Sequence, residues 1–242
     1  MILLILASGS GKRLKHKTKQ NPKCLTFING KPILEYLKGF MNLFKKKVIV
    51  VGYKSNKIKK FLKGTKIKFV TNKNYKNTNM VESIFCASNH INEDVVIVYS
   101  DIIFDKSIIK LLKKNITTMP VKRNWLEIWK RRMNKSEIKK DAENIKINKK
   151  FLVDIGGKIT NKLPKYQFMG ILKIIKKDFK IMRSLYLSID NKNIDLTRFI
   201  DLYIKRTKRK IFCPSTNKFW LEIDTLRDLK KSTNILGLKK KW

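Results

Sequence analysis

The 242-residue chain is short of acid: 18 aspartates and glutamates stand against 57 lysines and arginines, a formal net charge of +39. It has two histidines and three cysteines. His16 and His90 have no metal-ligating neighbours in the sequence, so a histidine- or cysteine-based metal centre is not expected. Cys24, Cys86 and Cys213 lie far apart and are odd in number, which speaks against a disulfide framework and for reduced thiols in a cytoplasmic protein. No apolar run approaches the ~20 residues of a membrane span. Met1–Ala7 is apolar, but no basic stretch precedes it and a glycine loop cuts it short, so no signal peptide is expected.

The charge raises the question of a nucleic acid or another anionic surface as partner. The lysines, however, are dispersed from Lys45-Lys46-Lys47 to Lys239-Lys240-Lys241 and far outnumber the arginines, which fits a lysine-inflating, AT-rich coding composition. A dedicated nucleic-acid face clusters arginines with aromatics. Nucleic acid is therefore not the expected partner, although a basic nucleic-acid-binding protein retaining an enzyme fold stays open as an alternative. Scarcity of acid has a corollary: a carboxylate at the end of a predicted strand stands out.

The most informative stretch is Ile2-Leu3-Leu4-Ile5-Leu6 followed by Ala7-Ser8-Gly9-Ser10-Gly11-Lys12-Arg13-Leu14. The unbroken apolar run predicts a strand buried on both faces. Closely spaced glycines let backbone N–H groups converge on an anion, and Lys12 and Arg13 add positive charge. A P-loop is excluded, because Leu6 stands where its first Gly belongs and Arg13 where its Ser/Thr belongs. A dinucleotide fingerprint is excluded by Leu14 in place of its third Gly. With Pro22-Lys23, Leu25 and Gly30-Lys31-Pro32-Ile33-Leu34, the series resembles the opening signature of the nucleotidyltransferases that activate sugar phosphates and alcohol phosphates.

Further along, strands are predicted at Lys47–Val51, Ile67–Thr71 and Val95–Tyr99, with helices between them. This alternation predicts an α/β fold with a doubly wound and mostly parallel sheet, and the resemblance implies that it is of the Rossmann-like nucleotidyltransferase type. Ligands in such sheets bind beyond the carboxyl ends of the strands, where Gly9, Gly52, the loop 72–79 and Asp101 all fall. The second half is less regular: a mixed segment around Trp125, Trp129, Arg131 and Arg132, strand-like runs at Ile145–Ile147, Phe151–Ile155, Tyr166–Ile174 (interrupted by Gly170), Ile211-Phe212 and Phe219–Asp224, a helix at Ile194–Ile204 and a last one capped by Thr225. Without repeats or low-complexity linkers, residues 1–242 are expected to form a single domain with a small β-rich lid, which by the resemblance is a nucleotidyltransferase domain.

Nucleotidyl transfer requires a held triphosphate, an offset to its charge and an acceptor oxygen aligned with the α-phosphorus. Arg13 offers a fork for two phosphate oxygens, and Lys23 is a point charge suited to the α-phosphate. Asp101, ending an apolar strand, is either a Mg²⁺ ligand or a carboxylate at a helix start. Glu222 and Asp224 alternate on a strand and so face one side, where they repel unless a cation stands between them. A Mg²⁺ shared with Asp101 answers that need.

The order of Asn74–Ser83, Asp101, Trp125 with Trp129 and Arg132, Asp141-Ala142-Glu143, and Trp220-Leu221-Glu222-Ile223-Asp224 with Asp228-Leu229 is similar to one branch, the cytidylyltransferases acting on phosphocholine and 2-aminoethylphosphonate. Ser8 departs from the family's usual Ala. The resemblance implies a cytoplasmic enzyme using CTP and Mg²⁺ and releasing pyrophosphate and a CMP-linked product. It implies a nucleotide site of Ala7, Ser8, Gly9, Ser10, Gly11, Lys12, Arg13, Lys23 and Gly52, with Asn79 and Ser83 near base or ribose, and Asp101, Glu222 and Asp224 as metal residues. For the acceptor two routes stay open: Trp125, Trp129 and Tyr166 boxing a quaternary ammonium, or Asp141 and Glu143 pairing with an amine. A sugar phosphate with another NTP is the alternative substrate pair.

Overall fold

The computed structural model describes residues 1–159 and 162–239. In chain order its main elements are β1 (Ile2–Ala7), β2 (Lys46–Val51), α1 (Ser55–Phe61), β3 (Lys68–Thr71), α2 (Met80–Cys86), β4 (Val95–Tyr99), β5 (Ile102–Phe104), β6 (Val121–Lys122), α3 (Trp125–Lys130), α4 (Lys135–Asp141), β7 (Ile145–Asn148), β8 (Phe151–Ile155), β9 (Gln167–Phe168), β10 (Ile171–Ile174), α5 (Lys176–Leu187), α6 (Leu196–Thr207), β11 (Ser215–Thr216), β12 (Trp220–Glu222) and α7 (Leu226–Lys239).

Five strands make the central sheet in the order β10-β4-β1-β2-β3. β1 pairs in parallel with both β2 and β4, β2 pairs in parallel with β3, and β10 joins antiparallel at the edge beside β4. The reason is legible in β1. Ile2, Leu4 and Leu6 pack into one core layer with Val48, Val50, Val95 and Ile97, while Leu3, Ile5 and Ala7 pack into the other with Ile49, Val51, Val96 and Val98. A strand with apolar side chains on both faces is stable only at the middle of a covered sheet. The chain leaves β1 toward β2 and returns to β4 on the other flank, so the sheet reverses direction at β1. The crevice outside the carboxyl ends of β1 and β4 opens at that reversal.

The β-rich remainder consists of small separate sheets: β7–β8, β9-β6-β11 and β5–β12. The run Tyr166–Ile174 divides at Gly170, whose φ of 71° suits glycine, into β9 and β10 of two different sheets. The mixed segment after Val121 resolves into α3 and α4, the latter opened by a reciprocal capping box between Asn134 and Glu137. Ile211-Phe212 forms no strand of its own; Phe212 makes isolated bridges to Thr118 and Phe151 instead. A 3₁₀ helix, Lys106–Leu112, follows β5. Among the described residues no helix is long and apolar enough to cross a membrane.

Candidate active site

A cleft of about 400 Å³ lies over the carboxyl ends of β1 and β4. Ala7, Ser8, Gly9, Ser10, Gly11, Lys12, Arg13 and Lys23 line it together with Asn79, Asp101, Glu222 and Asp224. Four distant stretches of sequence thus meet at one place. The glycine loop is tied down from behind. Ser8 Oγ shares a hydrogen bond of 2.7 Å with Ser83 Oγ, and Asn72 Nδ2 donates to the same Ser83 oxygen at 3.1 Å. Gly52 is part of this backing rather than of the cleft wall: the backbone N–H of Tyr53 donates to the Ser8 carbonyl, and a Cβ on Gly52 would lie 2.7 Å from that oxygen. Gly11 has φ 63°, and a Cβ there would meet Lys23 Cβ at 2.7 Å. Glycine at this position lets the loop close directly onto Lys23.

Lys23 occupies the floor. Its Nζ donates to Asp101 Oδ2 and to Asp224 Oδ1, each at 2.6 Å, and all three side chains are largely buried. Burial alone acts to lower the Lys23 pKa, but the Asp101 and Asp224 charges outweigh it and hold the ammonium well above the ordinary lysine value. Arg13 pairs with Asp224 from the other side and reaches Asp141 at 3.3 Å. Its pKa is likewise raised, burial opposing and the Asp224 and Asp141 charges prevailing. Glu222 is pushed upward by burial and by the Asp101 charge. Two cations and four carboxylates therefore lie close together, and Asp101 Oδ1 remains buried without a hydrogen-bond partner.

Asp224 lies just beyond the end of β12, where the alternation of a strand no longer aims it. Asp228 does so instead. Its Oδ2 accepts the backbone N–H groups of Asp224 at 3.1 Å and Thr225 at 2.8 Å, while Thr225 Oγ1 accepts the Asp228 N–H at 3.2 Å. Behind Asp228 stands Arg132, fully buried, with Nη1 2.5 Å from Asp228 Oδ1, Nη2 3.9 Å from Glu222, and its guanidinium 4.9 Å from the Trp129 ring centre. The stretch from Arg132 through Asp228 thus fixes the backbone that carries Asp224.

The residues considered for the acceptor separate. Trp125, 1% exposed, stacks edge-on against Trp129 at 5.0 Å and donates its indole N–H to the Pro164 carbonyl. It is core packing and lines neither this cleft nor the smaller chamber beside it. Trp129, Asp141 and Glu143 do line that chamber, with Arg13, Glu222 and Asp224 common to both cavities. Tyr166 packs against the core layer containing β10 and lines neither cavity. Glu143 Oε1 accepts from Thr197 Oγ1 at 2.6 Å. Residues the sequence reading passed over also line the walls: Tyr75, Thr78, Tyr99 and Ser100 in the cleft, Gln167, Asp195 and Thr197 in the chamber. Tyr99 and Ser100 directly precede Asp101, and Tyr75 and Thr78 belong to the loop 72–79 expected at the strand ends, so their position was available; Gln167, Asp195 and Thr197 come together only by folding.

The sequence profile of the MobA-like NTP transferase domain matches residues 3–126, just over half of the chain. The chain belongs to this family. The nucleotidyltransferase expected from the glycine loop is therefore confirmed as a family, and the fold agrees. The chain is 27% identical to the CTP:phosphoglutamine cytidylyltransferase of Campylobacter jejuni over 95% of its own length and 98% of that protein. Among solved structures it is similar to the inositol-1-phosphate CTP transferase of T. maritima, with a TM-score of 0.75 and 22% identity over 98% of this chain and 94% of that one. It is also similar to the CTP:phosphocholine cytidylyltransferase of Streptococcus pneumoniae, with a TM-score of 0.72 and 18% identity over 97% and 99% of the two chains. These two share the fold.

For an NTP transferase of this family the question is whether the floor suits a divalent cation. Among the described residues no three histidine, cysteine or acidic side chains are gathered tightly enough to hold a metal by themselves. The donor set nevertheless fits Mg²⁺, which takes one or two carboxylates and completes its shell from phosphates and water. Asp101 and Asp224 are carboxylates already bridged by a cation, and Asp101 keeps a buried oxygen unpartnered.

Proposed function

We propose that this NTP transferase moves CMP from CTP to a small acceptor that carries a phosphate or phosphonate and a cationic amine, with release of pyrophosphate. The observation that carries the reading is the Lys23 bridge between Asp101 and Asp224 at the base of the glycine loop. A lysine held by two carboxylates beneath a phosphate cradle marks the point where the charge of a bound triphosphate is to be met. The near full-length similarity to a cytidylyltransferase supports CTP as the donor.

On this reading the backbone of Gly9–Gly11 and the side chain of Arg13 hold the β- and γ-phosphates. Lys23 turns from its carboxylates to the α-phosphate. Asp101 and Asp224 would hold Mg²⁺, which when bound supplies Lewis-acid stabilisation of charge on the phosphate oxygens. An oxygen of the acceptor's phosphate or phosphonate then forms a bond to the α-phosphorus while the bond from that phosphorus to the pyrophosphate oxygen breaks, the electron pair leaving with pyrophosphate. Lys23 counts most as the transition state forms, because its ammonium then meets the charge developing at the α-phosphate in a water-poor floor. Asn79 lies at the start of α2, its side chain accepting from the Met80 N–H, within the wall available to base or ribose.

Pyrophosphate release measured for four NTPs against phosphocholine, 2-aminoethylphosphonate, amino-acid phosphates and sugar phosphates tests the reading. The expected result is release with CTP and an amine-bearing acceptor. A sugar phosphate turned over at least about tenfold more efficiently than every amine-bearing acceptor, a gap of about 1.4 kcal/mol in transition-state binding, would overturn it.

A further inference from the structure

The lining of the nucleotide cleft divides by charge. Arg13, Lys23, Asp101, Glu222 and Asp224 form an ionic group about Lys23. Tyr75, Thr78, Asn79 and Met80, on the loop that leads into α2, form a neutral one. The ionic end suits phosphates, and the neutral wall suits a base. Ser8 joins the glycine loop to that wall: its Oγ lies 2.7 Å from Oγ of Ser83, one helical turn after Asn79. Ser8 is half-buried and lines the cleft; Ser83 is 1% exposed and does not. Of the two residues, Ser8 is the one a ligand can touch.

The hydrogen bonds behind Ser8 run in one direction. They are anchored at Asn74, whose backbone N–H can only donate and whose carbonyl can only accept. That N–H donates to Asn72 Oδ1 at 2.9 Å, which turns Asn72 Nδ2 toward Ser83 at 3.1 Å and Thr78 at 3.3 Å. Thr78 Oγ1 gives its own hydrogen to the Asn74 carbonyl at 2.8 Å, so toward Asn72 it accepts. Ser83 Oγ likewise accepts from Asn72 and has one hydrogen left to place. Among the described residues the acceptor it meets is Ser8 Oγ. A buried hydroxyl hydrogen without an acceptor is costly, so Ser83 donates and Ser8 accepts. The hydrogen of Ser8 then has no taker among the described residues.

We propose that Ser8 is a specificity-determining residue, whose hydroxyl donates to ring atom N3 of the nucleotide's base and so selects cytosine over uracil. The direction of the hydrogen bonds picks the atom. N3 accepts in cytosine and carries a hydrogen in uracil. O2 accepts in both bases and does not tell them apart, and the 4-amino group of cytosine would meet the Ser8 hydrogen with hydrogens of its own. A one-way donor therefore favours cytosine at N3 alone, and a mismatched donor pair there counts against uracil. Asn72 and Ser83 are positioning residues that hold the Ser8 hydroxyl in its donating sense. The proposal rests on the reading of the glycine-loop cleft as a CTP site and names the group that reads the base.

Calorimetric titration of the full chain with Mg²⁺ decides it, using analogues of CTP, UTP and 3-deaza-CTP that cannot be cleaved between the α- and β-phosphates. The 3-deaza base has C–H in place of N3 and keeps O2 and the amine. The wild type should bind the CTP analogue about tenfold more tightly than the UTP analogue and about fivefold more tightly than the 3-deaza analogue, the scale of one hydrogen bond. Ser8→Ala should weaken the CTP analogue about fivefold and leave the other two within about twofold, so that N3 no longer matters. Ser83→Ala frees the Ser8 hydroxyl to turn and accept from uracil; the UTP analogue should tighten about threefold while the CTP analogue stays within about twofold, a change that a loosened loop would not produce. A preference for CTP that Ser8→Ala leaves intact, an equal loss of all three ligands in that variant, or a 3-deaza analogue bound by the wild type as tightly as the CTP analogue overturns the proposal and leaves the CTP reading standing. A wild type that binds the UTP analogue as tightly as the CTP analogue overturns both.

Discussion

Replacing Lys23 by methionine removes the cation that stands 2.6 Å from both Asp101 and Asp224 and leaves the volume nearly unchanged. The lysine side chain is 14% exposed and the two aspartates 19% and 8%, so water compensates only in part. Taking one partner from a buried ion pair costs about 3–5 kcal/mol. Arg13 still faces Asp224, which places the expected loss at the lower end, about 3 kcal/mol. For a chain of this size that lowers Tm by about 6–12 °C. The informative measurement is the response to Mg²⁺ without nucleotide. In the wild type a metal has to displace the Lys23 ammonium from the same two carboxylates; in Lys23→Met they are unopposed. Thermal unfolding with and without excess Mg²⁺ should therefore show a larger upward shift in the variant, approaching the gain of about 2.7 kcal/mol that a ligand at a hundred times its Kd provides. Equal Mg²⁺ responses in the two proteins would refute the idea that lysine and metal compete for one site. A stability loss under about 1 kcal/mol would refute the burial argument.

Asp101→Asn and Asp224→Asn should each reduce turnover about a thousandfold, several kcal/mol of lost charge stabilisation, with far-ultraviolet circular dichroism unchanged; near-wild-type rates at saturating Mg²⁺ in both would remove them from the metal site. Arg132→Met strands Asp228, which is buried, and should cost about 3–5 kcal/mol in urea unfolding. Adding Asp228→Asn should restore part of that loss, and a double-mutant cycle with no coupling would show that the pair does not act as a unit. Burial and the neighbouring carboxylates raise the Asp141 and Glu143 pKa values, although Arg13 and the Thr197 hydroxyl act against them. The folded chain therefore holds more protons than the unfolded one just above the ordinary carboxylate range, and these two groups make stability fall as pH rises through that window. An ammonium-bearing acceptor favours their charged forms, so its affinity should rise with pH over the same window and its binding should release protons. Calorimetry in buffers of different ionisation enthalpy reads that release directly, and its absence would refute the assignment.

How much of this was legible in the chain differs by residue. β1 announced itself because a strand covered on both faces needs no alternation, and its neighbours share its pattern. Gly170 marked the break between two sheets, and the carboxylates at 101, 222 and 224 stood out against a basic background. The two-residue spacing of Glu222 and Asp224 gave the right convergence for an incomplete reason: β12 ends at Glu222, and Asp228 with Arg132 sets the rest. The position of Lys23 across two aspartates was not legible, since it depends on contacts 78 and 201 residues away. Trp125 and Trp129 look alike in sequence and share one face of α3, yet only Trp129 lines the chamber; Trp125, one turn earlier, is buried with its indole N–H on the Pro164 carbonyl. Gln167 carried no signal: a glutamine in a short strand reads as any polar residue until its surroundings are known.

The contrast between a lysine-covered exterior and six carboxylates lining the two joined cavities has a kinetic consequence. A surface with net charge of +39 draws a triphosphate from every direction, raising its encounter rate well above that of a neutral protein. The same field acts on pyrophosphate as it departs, and slows its escape. Salt screens both, so it slows arrival and hastens departure. Where nucleotide is scarce, added salt lowers the rate; where nucleotide is saturating and product escape governs the cycle, the same salt raises it.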